Sequence, residues 1–417
     1  MESDIMPLGK GDKAVFSRDC TKTGVNNNVV VCGSSGSGKT MSIIEPRLIE
    51  TYNSSLVVTV TKRKIVKKYT DMFLGRGYKV LDLNFAQPKK SMVGYDLMKY
   101  VSSYTDIKFL ADYIMNSGDY QTKSYDPYWS NAGSSLLASM IAYTMMMNKD
   151  ATFTNVIKMI DLLEITTNND DDITTNLDYR FEEVNKKDPL CFTYSCWKTF
   201  RTLPFRTASC VYGTVKAAIS HIFPQEIIDM MSMKNTVDID DIAKEKTVLF
   251  ITTSAVNPSL NCFVNLFYSQ LFKQLFEFAE TQPDAKLPIP VSVLCDDFAT
   301  GSRILNFPEY ISLFREKQID VTLLLQSESQ LEKMYGYQDA VTIINNCDTY
   351  VYIGGMDLQT CLNISRRLNV PLEDVMYMPI GKEVIFRRGQ KPIRTERYNI
   401  AENLIYKTID ERYNKCR

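Results

Sequence analysis

GVNNNVVVCGSSGSGKT, residues 24–40, decides the fold. Val29–Cys32 reads as a buried strand, Gly33–Thr40 fills GxxxxGK[ST] in full, and KTMSIIEPRLIETY (39–52) reads as a helix. Gly33, Gly36 and Gly38 let a backbone curl around phosphate without Cβ clashes. The N–H groups along Gly33, Ser34, Ser35, Gly36, Ser37 and Gly38, with the helix N-terminus, then face an anion. Lys39 supplies a mobile positive charge for β- and γ-phosphates, and Thr40 a hydroxyl for Mg²⁺. The ligands implied are ATP and Mg²⁺.

A phosphate loop of this kind needs a second site that completes the metal shell and activates water. VSVLCDD (291–297) fits it: an apolar strand ends in Asp296 and Asp297. Strand ends of open α/β sheets are where ligands bind. Asp296 is expected to hold Mg²⁺, directly or through water, and Asp297 to polarise the attacking water. Gln326 ends the next strand, DVTLLLQ (320–326), where a polar side chain can touch the γ-phosphate or its water; a turn or cap residue is the other reading. Arg315, in the intervening helix, is either a solvated residue or an arginine acting across a subunit interface.

Outward from these motifs, strands and helices alternate. SLVVTV (55–60) and YKVLDL (78–83) continue a parallel βα pattern. From about 98 to 232 the periodicity is helical, as in FTNVIKMIDLLE (153–164). The alternation resumes at TVLFITT (247–253) and runs through TYVYIG (349–354) to a hairpin in KEVIFRRGQKPIRTERY (382–398). Asn257-Pro258-Ser259 is expected to separate strand from helix, NNDDDI (168–173) to be an acidic loop, and the first 25 residues a polar lead-in. The domains expected are 1–97, the first part of a nucleotide-binding domain; 98–232, an inserted all-α domain; and 233–417, its second part.

The 417 residues carry a formal net charge of −1, so any nucleic-acid site must be local. Ten scattered cysteines form no CxxC and read as reduced thiols of a cytosolic protein. The one histidine, His221, reads as a helix residue without a catalytic task. No apolar run reaches the roughly 20 residues that span a bilayer, so the chain reads as soluble. KRKIVKK (62–68) and FRRGQKPIRTER (386–397) are the densest basic stretches, read either as contacts to DNA phosphates or as solvated basic faces.

GVNNNVVVCGSSGSGKT, YNSSLVVT, GYKVLDLN, DPYWSNA, DDFATGSRILNFPEYISLFREKQIDVTLLLQSESQLEKMYG and INNCDTYVYIGG together resemble type IV secretion coupling proteins. These are the TraG/TraD-class ATPases of conjugative DNA transfer. The resemblance covers about residues 23–375. It implies a RecA-like α/β core of mostly parallel sheet with an inserted all-α domain, hexameric rings, and use of ATP. It further implies delivery of a relaxase–single-stranded DNA complex, or of protein substrates, to a type IV secretion channel at the cytoplasmic face of a bacterial membrane. Lys39, Thr40, Asp296 and Gln326 match the family's nucleotide-site residues, and Arg315 its arginine acting in trans. A monomer is expected in dilute solution, with rings forming on membrane or DNA.

Three departures stand out. The family usually has Asp-Glu where this chain has Asp296-Asp297. Its Thr-Asp-Pro-Lys-Gly-Glu segment here reads TVTKRK (59–64), keeping Thr59 and Lys62. Most members begin with transmembrane helices, which this sequence lacks; recruitment to the membrane by a partner is expected, a truncated chain being the other reading. Two alternatives to a motor stay open: a nucleotide-gated substrate receptor with little ATPase activity, and a related DNA-pumping translocase.

Overall fold

The computed structural model describes residues 4–116, 127–167, 172–254, 259–298 and 303–415. The expected break at Asn257-Pro258 and most of the acidic loop lie outside the described residues, as does part of the stretch following Asp297. The chain forms two compact units.

The first unit is built on a nine-stranded sheet. In chain order its strands are β1 (Val29–Cys32), β2 (Ser55–Val60), β3 (Lys79–Asn84), β4 (Thr247–Thr252), β5 (Val291–Cys295), β6 (Ile319–Leu325), β7 (Thr349–Tyr352), β8 (Lys382–Arg387) and β9 (Ile393–Glu396). Across the sheet they run β9-β8-β7-β1-β6-β5-β2-β4-β3. The seven from β7 to β3 are parallel; β8 and β9 add an antiparallel edge. Strands covered on both faces read as continuous apolar runs. Val29, Val30, Val31, Val293, Leu294, Leu323 and Leu324 are accordingly all fully buried. One face packs Val29, Val31, Leu294, Leu324 and Val351 against Ile43, Leu48, Ile65, Tyr69 and Phe73.

Register places the chemistry. Leu325 of β6 pairs with Cys32 of β1, and Leu323 with Cys295 of β5. The residues that follow these strands, Gly33, Gln326 and Asp296, therefore emerge at one carboxyl edge. The helix after the loop opens as a π-type turn, Thr40–Ile44, before Glu45–Ile49. Pro46 has no N–H to give the Ser42 carbonyl, which favours the wide turn.

The polar lead-in is a structured arm instead. Ile5–Pro7 and Val15–Ser17 form an antiparallel pair, and Met6, Leu8, Ala14 and Phe16 join the core. Three-residue strands are too short for alternation to be legible. The arm is tied to the sheet by buried charges. Arg18 contacts Asp4 at 3.2 Å and also Asp320, and Arg47 reaches Asp320 at 3.1 Å.

The second unit, Gln87–Val237 with Cys262–Phe267, is predominantly helical. Phe181 and Trp197 stack at 4.1 Å in its core. It is not purely helical: Ile165–Thr167 and Ile173–Thr175 form a small hairpin, because each segment is a β-branched triplet. Among the described residues no helix is long and apolar enough to cross a membrane.

Candidate nucleotide site

The loop after β1 is anchored on both sides. Gly33 N–H donates to Leu325 O at 3.2 Å, and Ser34 N–H to Gly354 O at 3.0 Å. A Cβ on Gly33 would lie 3.2 Å from Gly354 O, so a side chain here would press on that carbonyl and glycine suits the close approach. Gly36 and Gly38 have φ of 72° and 85°, the left-handed region glycine enters freely. The Ser37 hydroxyl is buried without a hydrogen-bond partner among the described residues. Lys39 is 7% exposed and its Nζ donates to the carbonyls of Gly33 and Ser34. Burial draws its pKa down, and Asp297 opposes that.

Thr40 Oγ1 donates to Asp296 Oδ2 at 2.9 Å. The phosphate loop and the end of β5 are thereby joined through a hydroxyl and a carboxylate, the hard oxygen donors that Mg²⁺ takes. Asp296 is 8% exposed. Burial pushes its pKa up, Asp297 adds to that, and Thr40 and Lys39 counteract it. Asp297 is half-buried with φ of 54°. Asp and Asn enter the left-handed region more readily than longer side chains. Gln326 is exposed at the same edge, one strand from each partner, and its N–H is 3.4 Å from Gln330 Oε1.

Arg315 is not brought to this edge. It lies exposed near the end of the helix Phe307–Lys317, just before β6 begins, and so at the amino edge of the sheet. There it borders a cavity of about 810 Å³ together with Arg18, Cys20 and Asp320.

The basic stretches are largely tied into structure. Arg63 pairs with Asp82 at 2.6 Å, Lys68 with Asp410 at 2.7 Å, and Arg388 with Asp348 at 3.1 Å. Arg387 is buried, 4.4 Å from the Phe16 ring centroid. Lys62, Lys64 and Lys67 remain exposed. His221 is exposed on a helix. The nine described cysteines are free, and burial pushes Cys32 and Cys295 up to about 12.

Two features escaped the sequence reading. The docking of Ser34 on Gly354 was signalled only by the Gly354-Gly355 pair after β7. The buried Asp4–Arg18–Asp320–Arg47 cluster has no local signature.

Solved structures share this fold. The unbound bacterial conjugative coupling protein TrwBdeltaN70 matches with a TM-score of 0.65 at 15% identity, over 94% of this chain and 88% of that one. TrwB in complex with ADP and Mg²⁺ matches at 0.67 and 16%, over 94% and 89%. VirB4 of Thermoanaerobacter pseudethanolicus matches at 0.59 and 11%, over 97% and 99%. At such identities the likeness concerns the fold. No curated protein matches the chain. The family model for type IV secretory system conjugative DNA transfer matches residues 3–371, and the chain belongs to that family.

Proposed function

We propose that the chain binds and hydrolyses ATP with Mg²⁺ and thereby drives transfer of relaxase–single-stranded DNA, or of protein substrates, to a type IV secretion channel. The observation that carries this reading is the Thr40–Asp296 hydrogen bond, which closes the phosphate loop against the end of β5. Solved TrwB complexes with the non-hydrolysable ATP analogue ADPNP and with ADP and Mg²⁺ support the choice of ligand.

The residues divide the work. Loop N–H groups and Lys39 bind phosphate, and Thr40 with Asp296 would hold Mg²⁺, which when bound neutralises charge developing on the phosphates. Asp297 orients and deprotonates water, directly or through a second water, because its side chain is one methylene shorter than glutamate. Gln326 reports on the γ-phosphate. Arg315, at the opposite edge, would reach only a neighbouring subunit's nucleotide, which suits a ring, a hexamer by family resemblance. The helical insertion, 98–232, is the substrate-contacting part. The site of action is the cytoplasmic face of the membrane. Asp297 in place of glutamate favours one second reading, a nucleotide-gated receptor with slow turnover.

The test is DNA transfer between cells whose conjugative element depends on this chain. Lys39→Ala is expected to drop transfer frequency to the level without the protein. Transfer at the native level with Lys39→Ala would remove nucleotide from the mechanism.

A further inference from the structure

The segment after β8 returns to the phosphate loop. A Cβ placed on Gly38 would lie 3.0 Å from Arg397 Nη1, and one on Gly381 would lie 3.9 Å from Nη2. The backbone of Arg397 is fixed, since its N–H donates to Gly381 O at 2.9 Å. Its guanidinium has no hydrogen bond or ion pair among the described residues. Of the acids nearby, Glu396 is held by Lys10 at 3.0 Å and by Lys382 at 2.9 Å, and the buried Glu383, whose pKa Arg397 pulls down, makes no hydrogen bond or ion pair with it. A half-buried arginine beside the last glycine of a phosphate loop is thus left with its charge to offer.

Beside it opens a cavity of about 360 Å³, lined in part by Gly38, Met41, Ser42, Ile380, Arg397 and Tyr398. Small-molecule sites begin at roughly this size, and they combine apolar walls with a few placed polar groups. The apolar groups are present: Ile380 is 98% exposed and Met41 is 52% exposed. The position also suits a nucleotide. Asp296, bonded to Thr40, marks the end where a γ-phosphate belongs, so the nucleoside must leave the loop elsewhere. Gly38, Met41 and Ser42 carry the cavity onto the first turn after the loop.

We infer that this cavity takes the nucleoside half of the nucleotide, with Arg397 as a second cation on its phosphates and Met41 and Ile380 flanking the base. The inference rests on the nucleotide reading above. Arg397 is then a binding residue, and its place in a basic run of the tail serves the nucleotide, not DNA.

Calorimetric titration of the full chain with ADP plus Mg²⁺, and separately with pyrophosphate plus Mg²⁺, tests it. Arg397→Ala is expected to weaken ADP binding roughly 10- to 100-fold, the loss of a hydrogen bond to a charged group, with Arg397→Lys recovering part of it. Ile380→Ser, at an exposed position that does not threaten folding, is expected to weaken ADP about threefold or more and leave pyrophosphate unchanged. Thermal melting matched to the native chain certifies each variant. If Arg397→Ala and Ile380→Ser bind ADP like the native chain while Lys39→Ala does not, this inference is overturned and the nucleotide reading stands. No ADP binding by the native chain overturns both.

Discussion

The Thr40 hydroxyl donates to Asp296 Oδ2 at 2.9 Å, joining two residues 256 positions apart. That bond puts a hydroxyl and a carboxylate where a divalent cation is held against phosphate. Asp296→Asn keeps the shape and removes the charge. It is expected to lower the Mg²⁺-dependent part of ADP affinity by tenfold or more, on the order of 1.5–3 kcal/mol. Titrations with and without Mg²⁺ measure it, and equal Mg²⁺ dependence in both proteins contradicts a metal role.

Asp297 sits at φ 54°. Replacement by Ala keeps the Cβ in the left-handed region but removes the short polar side chain that compensates for it, at up to about 1 kcal/mol in folding stability. Asp297→Asn tolerates the backbone and is expected to fold like the native chain. Both variants are expected to slow ATP turnover at least tenfold with ADP affinity little changed. Urea unfolding separates the strain from the chemistry.

Asp320 is the buried acid shared by Arg18 and Arg47. Asp320→Ala leaves two buried guanidinium groups without that partner, and is expected to destabilise the chain by about 3–5 kcal/mol. Chemical denaturation measures this, and a loss below about 1 kcal/mol contradicts the tie between arm and sheet.

Glu383 is 1% exposed, and neither carboxylate oxygen has a hydrogen-bond partner among the described residues. Burial raises its pKa from the ordinary 4.5 to about 8, although Arg397 pulls it down. Glu383 lines a cavity of about 630 Å³ that Lys10, Asp374, Lys382, Arg394 and Glu396 also border. Between those two values the folded chain holds a proton that the unfolded chain releases, so stability falls as pH rises through that window. The melting temperature of Glu383→Gln is therefore expected to fall less than that of the native chain from about pH 4.5 to about pH 8. Parallel melting curves for the two proteins contradict this.

Legibility followed the range of the interactions. VVVC, SLVVTV and VSVLC were readable because strands buried on both faces are continuous apolar runs. The phosphate loop was readable because its residues are consecutive. Asp296 could be assigned to the same metal as Thr40 from the chemistry a phosphate loop needs, but the hydrogen bond between them follows from sheet register, which brings β5 and β1 to one edge. Arg397 looked like any basic residue in a tail until the antiparallel edge carried it back to Gly38. The left-handed backbone of Asp297 and the ion cluster around Asp320 had no local pattern to betray them.

The central claim is that the site turns over ATP. Steady-state ATPase activity, with and without single-stranded DNA and at concentrations that allow rings to form, tests it most directly. The account predicts slow turnover by the native chain, raised by DNA, at least tenfold lower in Asp297→Asn and at background in Lys39→Ala. Native turnover no higher than that of Lys39→Ala would contradict it and leave a nucleotide-gated receptor.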